Sequence, residues 1–208
     1  MSFSPGEPYE AAAIRNVILD EVVHLQVGDV LVMYDDVPHK GHDPEGEGDR
    51  IIVNLFYHRI PGSPWSRHSV THRVLRRVIG PRSAIILAAR LARFWQCTPN
   101  VQFGSAWSNI TNYSLARHGN KAEQMNATPE FESCMNEIIA TVHNHLPDDF
   151  EHLQLVEAFC NFYSNDHSQA EPHREACPSS TLAIRRHLDM TDASVVVQLK
   201  NTGRLTIG

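Results

Sequence analysis

The apolar and polar positions divide the chain into strand-like runs near both ends and helical stretches in the middle. Residues 16–34 alternate and cluster Val, Ile and Leu around a turn at Gly28-Asp29, which predicts two strands. A polar, Gly-rich loop is expected over residues 35–49, and a third strand over residues 50–57. Similar apolar runs predict three further strands, over residues 155–163, 194–199 and 204–207.

Helical spacing predicts two helices between these groups of strands. Residues 82–96 form the first, with an inward face that we expect to consist of Ile85, Ile86, Ala89, Ala92 and Phe94. Thr128 is expected to cap the second helix, with Pro129 in its first turn and its end at Pro147. Its apolar stripe comprises Phe131, Met135, Ile138 and Val142. These elements predict an α+β fold, a small β-barrel or sandwich with two or three supporting helices.

Composition supports a single domain covering residues 1–208. The chain has 208 residues, of which 42% are hydrophobic and 20% charged, an ordinary balance for a globular core. No signal-like start or membrane-length apolar run is present, so no membrane association is expected. The four cysteines are far apart, without a CxxC pair, which predicts reduced thiols and an intracellular protein, cytoplasmic or nuclear.

The charge distribution is uneven. Residues 50–121 contain eleven Lys or Arg and no Asp or Glu, although the net charge of the chain is −6. Such a segment predicts a positive surface for an anionic partner such as nucleic acid. The alternative is a basic surface that pairs with acidic residues of the same fold.

Thirteen histidines justify a search for metal ligands. His173-Arg174-Glu175 is an H-x-E step, and side chains at i and i+2 of an extended chain point to the same side. One imidazole and one carboxylate could therefore hold one metal ion, and a second imidazole would complete a two-His-one-carboxylate triad of the kind that binds Fe(II).

A candidate for that second imidazole lies in the segment from Leu25 to Arg59. It contains a strand, a Gly-Asp turn, a strand, a loop histidine and an arginine that opens the next strand. This order resembles the C-terminal half of the Fe(II)/2-oxoglutarate-dependent oxygenases. The resemblance implies that His39 is the third metal ligand and that Arg50 holds the distal carboxylate of 2-oxoglutarate, with His42 as an alternative ligand. Taken alone, Arg50 could instead pair with a neighbouring acid on an edge strand.

A second segment carries a related resemblance. Asn161-Phe162-Tyr163, ten residues before the H-x-E step, resembles the N-x-Y…H-x-D element of the AlkB-like and TET-like oxygenases. The resemblance implies that Asn161 and Tyr163 help to hold 2-oxoglutarate. Glu175 stands where the family usually has Asp.

The two halves of the family pattern occur in reversed order, which suggests a circularly permuted double-stranded β-helix (jelly-roll, cupin-like). Residues 1–59 would carry the family's C-terminal half, residues 60–150 the bridge and helical support, and residues 151–208 the H-x-E half. Permutation is tolerated where the original ends lie close together at the surface. Alternatively, the site forms between two chains, which would make the protein a homodimer.

The resemblance implies an Fe(II)- and 2-oxoglutarate-dependent dioxygenase that hydroxylates or oxidatively demethylates a substrate C–H, with no catalytic side chain beyond the metal centre. The candidate substrates are a modified nucleobase in nucleic acid and a small metabolite. Residues 107–113 (WSNITNY) could contact a base or form an ordinary amphipathic strand. Two other classes remain open: a non-catalytic nucleic-acid-binding cupin-like module, and a zinc hydrolase that uses the same ligands.

Overall fold

The computed structural model describes residues 21–34, 37–42, 48–64, 71–97, 110–116, 128–163 and 192–208. Within these ranges the helices are α1 (Pro81–Cys97), α2 (Pro129–His143) and a 3-10 helix (Asp148–His152). The strands are β1 (Glu21–Leu25), β2 (Val30–Tyr34), β3 (His39–Gly41), β4 (Arg50–Arg59), β5 (His72–Leu75), β6 (Ile110–Ala116), β7 (Leu153–Tyr163), β8 (Ala193–Lys200) and β9 (Gly203–Ile207). The predicted mixed α+β class is confirmed.

The strands form two antiparallel sheets. The large sheet has the order β5-β2-β8-β4-β7-β6, and the small sheet has the order β1-β9-β3. The first four strands alternate between the sheets, and β8 in the large sheet is followed by β9 in the small sheet. The longest ladder joins β4 to β7, from the pair Arg50–Tyr163 to the pair Arg59–Leu153. Because β4 lies between β8 and β7, the interpretation of Arg50 as an edge-strand residue is wrong.

One face of the large sheet is apolar. Val53 of β4 lies opposite Cys160 of β7 and Val197 of β8, and residues directly opposite in antiparallel strands project to the same face. All three are buried. The helices lie on this side, since α1 contacts both β8 and α2, and the small sheet lies on the other side, where its Gly203 approaches Arg50. The apolar face and the helices therefore form the main core.

The inward face of α1 differs from the sequence prediction. Ile85 and Ile86 are 64% and 52% exposed and Ala89 is also exposed, so their assignment to the core is wrong. The buried positions are instead Ala84, Leu87, Ala88 and Leu91, which have the spacing i, i+3, i+4, i+7. Residues 84–89 are all apolar, and such a run leaves the phase of the helix undetermined by periodicity.

The prediction for α2 is confirmed. The Thr128 hydroxyl caps the helix by accepting a hydrogen bond from the Phe131 backbone N–H at 3.2 Å, and Pro129 occupies the first turn. The helix ends at His143, ahead of Pro147. The buried stripe contains all four predicted residues and two more: Phe131, Cys134, Met135, Ile138, Ile139 and Val142.

The connections contain structure that the apolar pattern did not predict. The three-residue strand β3 lies within the expected loop over residues 35–49, and β5 extends the large sheet beyond β2. The Gly28-Asp29 turn anchors this edge, because the buried Asp29 carboxylate accepts hydrogen bonds from the Gln26 N–H at 2.9 Å and the Arg77 N–H at 3.0 Å. Among the helices in the described ranges, none combines enough length with enough apolar character to cross a bilayer.

Candidate functional site

The second face of the large sheet carries the buried polar side chains of its three central strands. They are Arg50, Asn54, Asn161, Ser194 and Gln198. Asn161 and Gln198 both lie opposite Ile52, so they project to one side, and residues two or four positions along the same strands share that side. Burying polar groups is unfavourable unless they find partners. We define these five residues as the polar face, and its composition marks it as the candidate site.

Arg50 is the centre of the polar face and is only 1% exposed. Its Nε donates to the Gln198 side-chain oxygen at 3.0 Å, and its Nη1 donates to the His42 backbone carbonyl at 3.3 Å. The guanidinium carbon lies 5.3 Å from the centre of the Tyr163 ring, within cation–π range. These three partners are electrically neutral, and they hold the guanidinium in place.

Gly203 of β9 brings the small sheet against this guanidinium. A Cβ added at Gly203 would overlap the Nε, Cζ and Nη2 atoms of Arg50. Because the three contacts are nearly equal, the overlap lies over the flat face of the guanidinium. The backbone of β9 therefore covers Arg50, and the polar face is directed toward the space between the two sheets.

Asn161 lies on the same face as Arg50 and Tyr163, which are directly paired across β4 and β7. It is 2% exposed, and its side-chain oxygen has no hydrogen-bond partner among the described residues. The buried hydroxyl of Ser194 is in the same situation. Buried polar atoms are nearly always bonded to protein, water or a ligand, so both atoms indicate a polar partner outside the described residues.

His39 projects toward the same space from β3. It is buried and lies opposite Ile207, on the face of the small sheet that also carries Leu205 and Gly203. Its Nδ1 lies 3.1 Å from the Val37 carbonyl, so Nδ1–H is the donor of this hydrogen bond. By contrast, the His42 ring bonds the Thr206 hydroxyl on the opposite face, which favours His39 over His42 as an inward ligand.

The remaining predicted ligands, His173 and Glu175, lie outside the described residues. Within the ranges that the structure covers, no three His, Cys, Asp or Glu side chains are grouped so that they could hold a metal ion. The structure thus brings Arg50, Asn161 and Tyr163 together and directs His39 toward the same interior. The metal triad stays a prediction.

Part of the basic segment pairs within the fold. Arg76 lies 2.5 Å from the Asp29 carboxylate, and Arg90 lies 2.6 Å from that of Glu137. These pairs agree with the alternative that the basic surface pairs with acidic residues of the same fold. The hydrogen bond that Arg90 donates to Glu137 raises the pKa of Arg90. Other arginines of the segment are exposed: Arg73, Arg77, Arg82 and Arg93.

Residues 110–113 of the WSNITNY segment belong to β6, which agrees with the strand alternative, and residues 107–109 lie outside the described ranges.

The sequence prediction missed Gln198, Ser194, Gly203 and Asn54. A signal for the first two was present, since Ser194 and Gln198 are four residues apart in the otherwise apolar run SVVVQL and therefore project to one face of a strand. Gly203 had no comparable signal, because its role depends on the approach of Arg50 from another strand.

Comparisons of the chain with protein-family models, curated proteins and solved structures found no match. The class that the described residues define is therefore structural: a two-sheet α+β protein with a buried, arginine-centred polar site between its sheets.

Proposed function

We propose that this protein is an Fe(II)- and 2-oxoglutarate-dependent dioxygenase that oxidises a substrate C–H bond. The observation that supports it most is the arrangement around Arg50. A buried arginine, a tyrosine paired with it and an asparagine whose oxygen has no partner among the described residues share one face, and His39 projects toward that face from the small sheet. These are four of the six residues that the family resemblance implies.

Arg50 suits the distal carboxylate of 2-oxoglutarate. A guanidinium stays charged and can pair with a carboxylate through two parallel hydrogen bonds. Its burial lowers the local dielectric and strengthens that pairing. Tyr163 and Asn161 share the face of the sheet that carries Arg50, so both would lie beside a carboxylate bound at Arg50.

His39, the proposed metal ligand that lies within the described residues, fits an iron centre. Metal-binding histidines usually donate the second ring N–H to a carbonyl or carboxylate, and the Val37 carbonyl takes this role for His39. His173 and Glu175 would complete the two-His-one-carboxylate set, which is the set that suits non-haem Fe(II). When bound, iron and 2-oxoglutarate would supply the oxidising power, while this chain would orient the cosubstrate and exclude water.

The strand arrangement supports a circularly permuted jelly-roll as the fold. The chain passes alternately between the two sheets from β1 to β4 and again from β8 to β9, and such crossings occur in double-sheet jelly-rolls. Ile207 of β9 lies opposite Glu21 of β1, so a short turn between them would restore the order of the oxygenase family. The other junction falls where Arg59 lies opposite Leu153, and residues 60–152 bridge it. Residues 1–59 supply His39 and Arg50, and residues 151–208 supply Asn161 and Tyr163. One chain therefore provides all four of these residues, without a second subunit.

A test of the proposal combines metal content, ligand binding and turnover. Protein loaded anaerobically with Fe(II) should bind about one iron and should bind 2-oxoglutarate, and both should weaken in His39→Ala. Arg50→Met should lose 2-oxoglutarate but keep iron. His145→Ala, at an exposed position, is the control. Succinate release that requires O2 and rises with substrate would complete the case, whereas wild-type protein that binds neither iron nor 2-oxoglutarate would refute it.

A modified nucleobase in nucleic acid is our first candidate substrate, and a small metabolite is the second. The exposed arginines Arg73, Arg77, Arg82 and Arg93 favour the first, since phosphate contacts dominate nucleic-acid affinity. Charge-reversing two of them should weaken binding to single-stranded DNA or RNA and reduce its salt dependence. Salt-dependent binding without any affinity for 2-oxoglutarate would instead support the non-catalytic module. Metal-dependent turnover that needs neither O2 nor 2-oxoglutarate would support the hydrolase.

A further inference from the structure

Gln198 is a residue of the polar face whose side-chain amide is hydrogen-bonded at both ends. It is fully buried, and its side-chain oxygen accepts from Arg50 Nε at 3.0 Å. Its side-chain nitrogen donates to the carbonyls of Lys200 at 2.9 Å and Asn201 at 2.7 Å. Because both ends of the amide are bonded, its orientation is fixed, and the oxygen has to face Arg50.

The turn that follows Gln198 secures the chain on the other side of Arg50. Asn201 has a φ of 59°, in the left-handed region, and its side-chain nitrogen donates to the carbonyls of Gly48 at 2.9 Å and Asp49 at 3.0 Å. These two residues immediately precede Arg50. Residues 198–203 span the end of β8, the turn and the start of β9. Gln198 and Gly203 contact the Arg50 side chain, and Asn201 bonds the backbone just before Arg50.

We propose that Gln198 is a positioning residue that orients the Arg50 guanidinium for the distal carboxylate of a dicarboxylate cosubstrate. This inference rests on the proposed function. Gln198 occupies Nε and adds no negative charge, while Gly203 covers a flat face of the guanidinium. A ligand is then directed to the plane of the guanidinium, where a planar carboxylate can form two parallel hydrogen bonds.

The sharpest test changes only the charge of this side chain. Gln198→Glu keeps the size of the residue but places a carboxylate beside Arg50, where it competes with the ligand. We expect the affinity for 2-oxoglutarate to fall roughly 30-fold or more, because like charges in a buried site repel strongly. Gln198→Met, which removes the hydrogen bond without adding charge, should reduce the affinity roughly 3- to 10-fold.

The measurement is calorimetric titration of the full-length, Mn(II)-loaded protein with 2-oxoglutarate and with oxalate. Oxalate can chelate a metal but has no distal carboxylate, so a positioning role predicts that its affinity is unchanged in Gln198→Glu. Gln154→Glu, at an exposed position on β7, matches the charge change and should leave both affinities unchanged. Thermal unfolding of each variant reports whether the fold is intact.

Each outcome separates this inference from the proposed function. Selective loss of 2-oxoglutarate in Gln198→Glu, with oxalate binding and the melting temperature retained, supports the inference. Equal 2-oxoglutarate affinity in wild type and Gln198→Glu overturns the positioning role and leaves the oxygenase proposal standing. Parallel loss of both ligands or of the fold also overturns it, because Gln198 would then be merely structural. Wild-type protein that binds no 2-oxoglutarate overturns both proposals.

Discussion

Gly203→Ala should destabilise the protein through a single contact, the one between the new methyl group and Arg50. The backbone at Gly203 does not have the positive φ found at Gly28, Gly48 and Gly62, so alanine meets no conformational barrier there. The added Cβ would, however, overlap three atoms of the buried guanidinium. Since van der Waals overlap of this kind cannot be absorbed, the Arg50 side chain has to move.

The size of the effect follows from what Arg50 loses when it moves. Its hydrogen bonds to Gln198 and to the His42 carbonyl involve a charged donor, and such bonds contribute about 1.5–3 kcal/mol each. Partial loss of both gives an expected destabilisation of about 3 kcal/mol. In an Arg50→Ala background the space is open, so Gly203→Ala should be neutral or stabilising by about 0.4–1 kcal/mol.

Urea unfolding of the wild type, the two single variants and the double variant measures this coupling. We expect a coupling energy of about 3 kcal/mol, well outside the range for independent sites, which is about 0.3–0.5 kcal/mol. Gly80→Ala is the control, because a Cβ at Gly80 has no neighbour within 4 Å. This substitution should lower the free energy of unfolding by about 1 kcal/mol or less. Additive effects of the two substitutions would refute the placement of Arg50 over Gly203.

Three further predictions test other parts of the structure. Leu87→Ala should cost about 2–4 kcal/mol, whereas Ile86→Ala should cost about 0.5 kcal/mol or less; equal losses in urea unfolding would contradict the observed face of α1. Ser194→Ala should lower the melting temperature by about 2–4 °C, because the buried hydroxyl has no partner among the described residues and so indicates a hydrogen bond to another polar group; a rise would show that the hydroxyl is buried without a partner. Burial raises the pKa of the Cys134 thiol from 9.0 to about 11 and that of Cys160 in the same direction. The unfolded chain therefore loses these protons first, so stability should fall as the pH rises from about 9 to 11, and Cys134→Ala should reduce this slope in thermal melts.

The strands were predictable where local pattern and tertiary environment agree. Residues 50–57 and 194–199 are rich in β-branched and aromatic residues, and both lie in the centre of the large sheet as β4 and β8. β3 could not be predicted, because its three residues, His39–Gly41, follow a Pro and include a Gly, and they have little strand propensity of their own. This strand exists because β9 supplies its hydrogen-bonding partner.

The sequence predicted site residues only where they belong to a recognisable motif with a fixed spacing. Arg50, Asn161 and Tyr163 were selected by resemblance, and the structure brings them together. Gln198 lies 148 positions from Arg50, and no local pattern shows that β8 is the neighbour of β4. Its role follows from strand order, which a single sequence does not display.

The alternation of side chains along β3 is what separates His39 from His42 as the candidate ligand. The spacing to Arg50 left both open, since a loop imposes no fixed direction on either side chain. Once the segment pairs with β9, His39 shares the inward face with Ile207, and Lys40 and His42 share the outward face with Thr206. A shift of one residue in this register would reverse both directions. The hydrogen bond between the His42 ring and the Thr206 hydroxyl holds the register on the outer side, and the hydrogen bond that Arg50 donates to the His42 carbonyl holds it on the inner side. His42 therefore contributes to the site by fixing the strand that directs His39 inward.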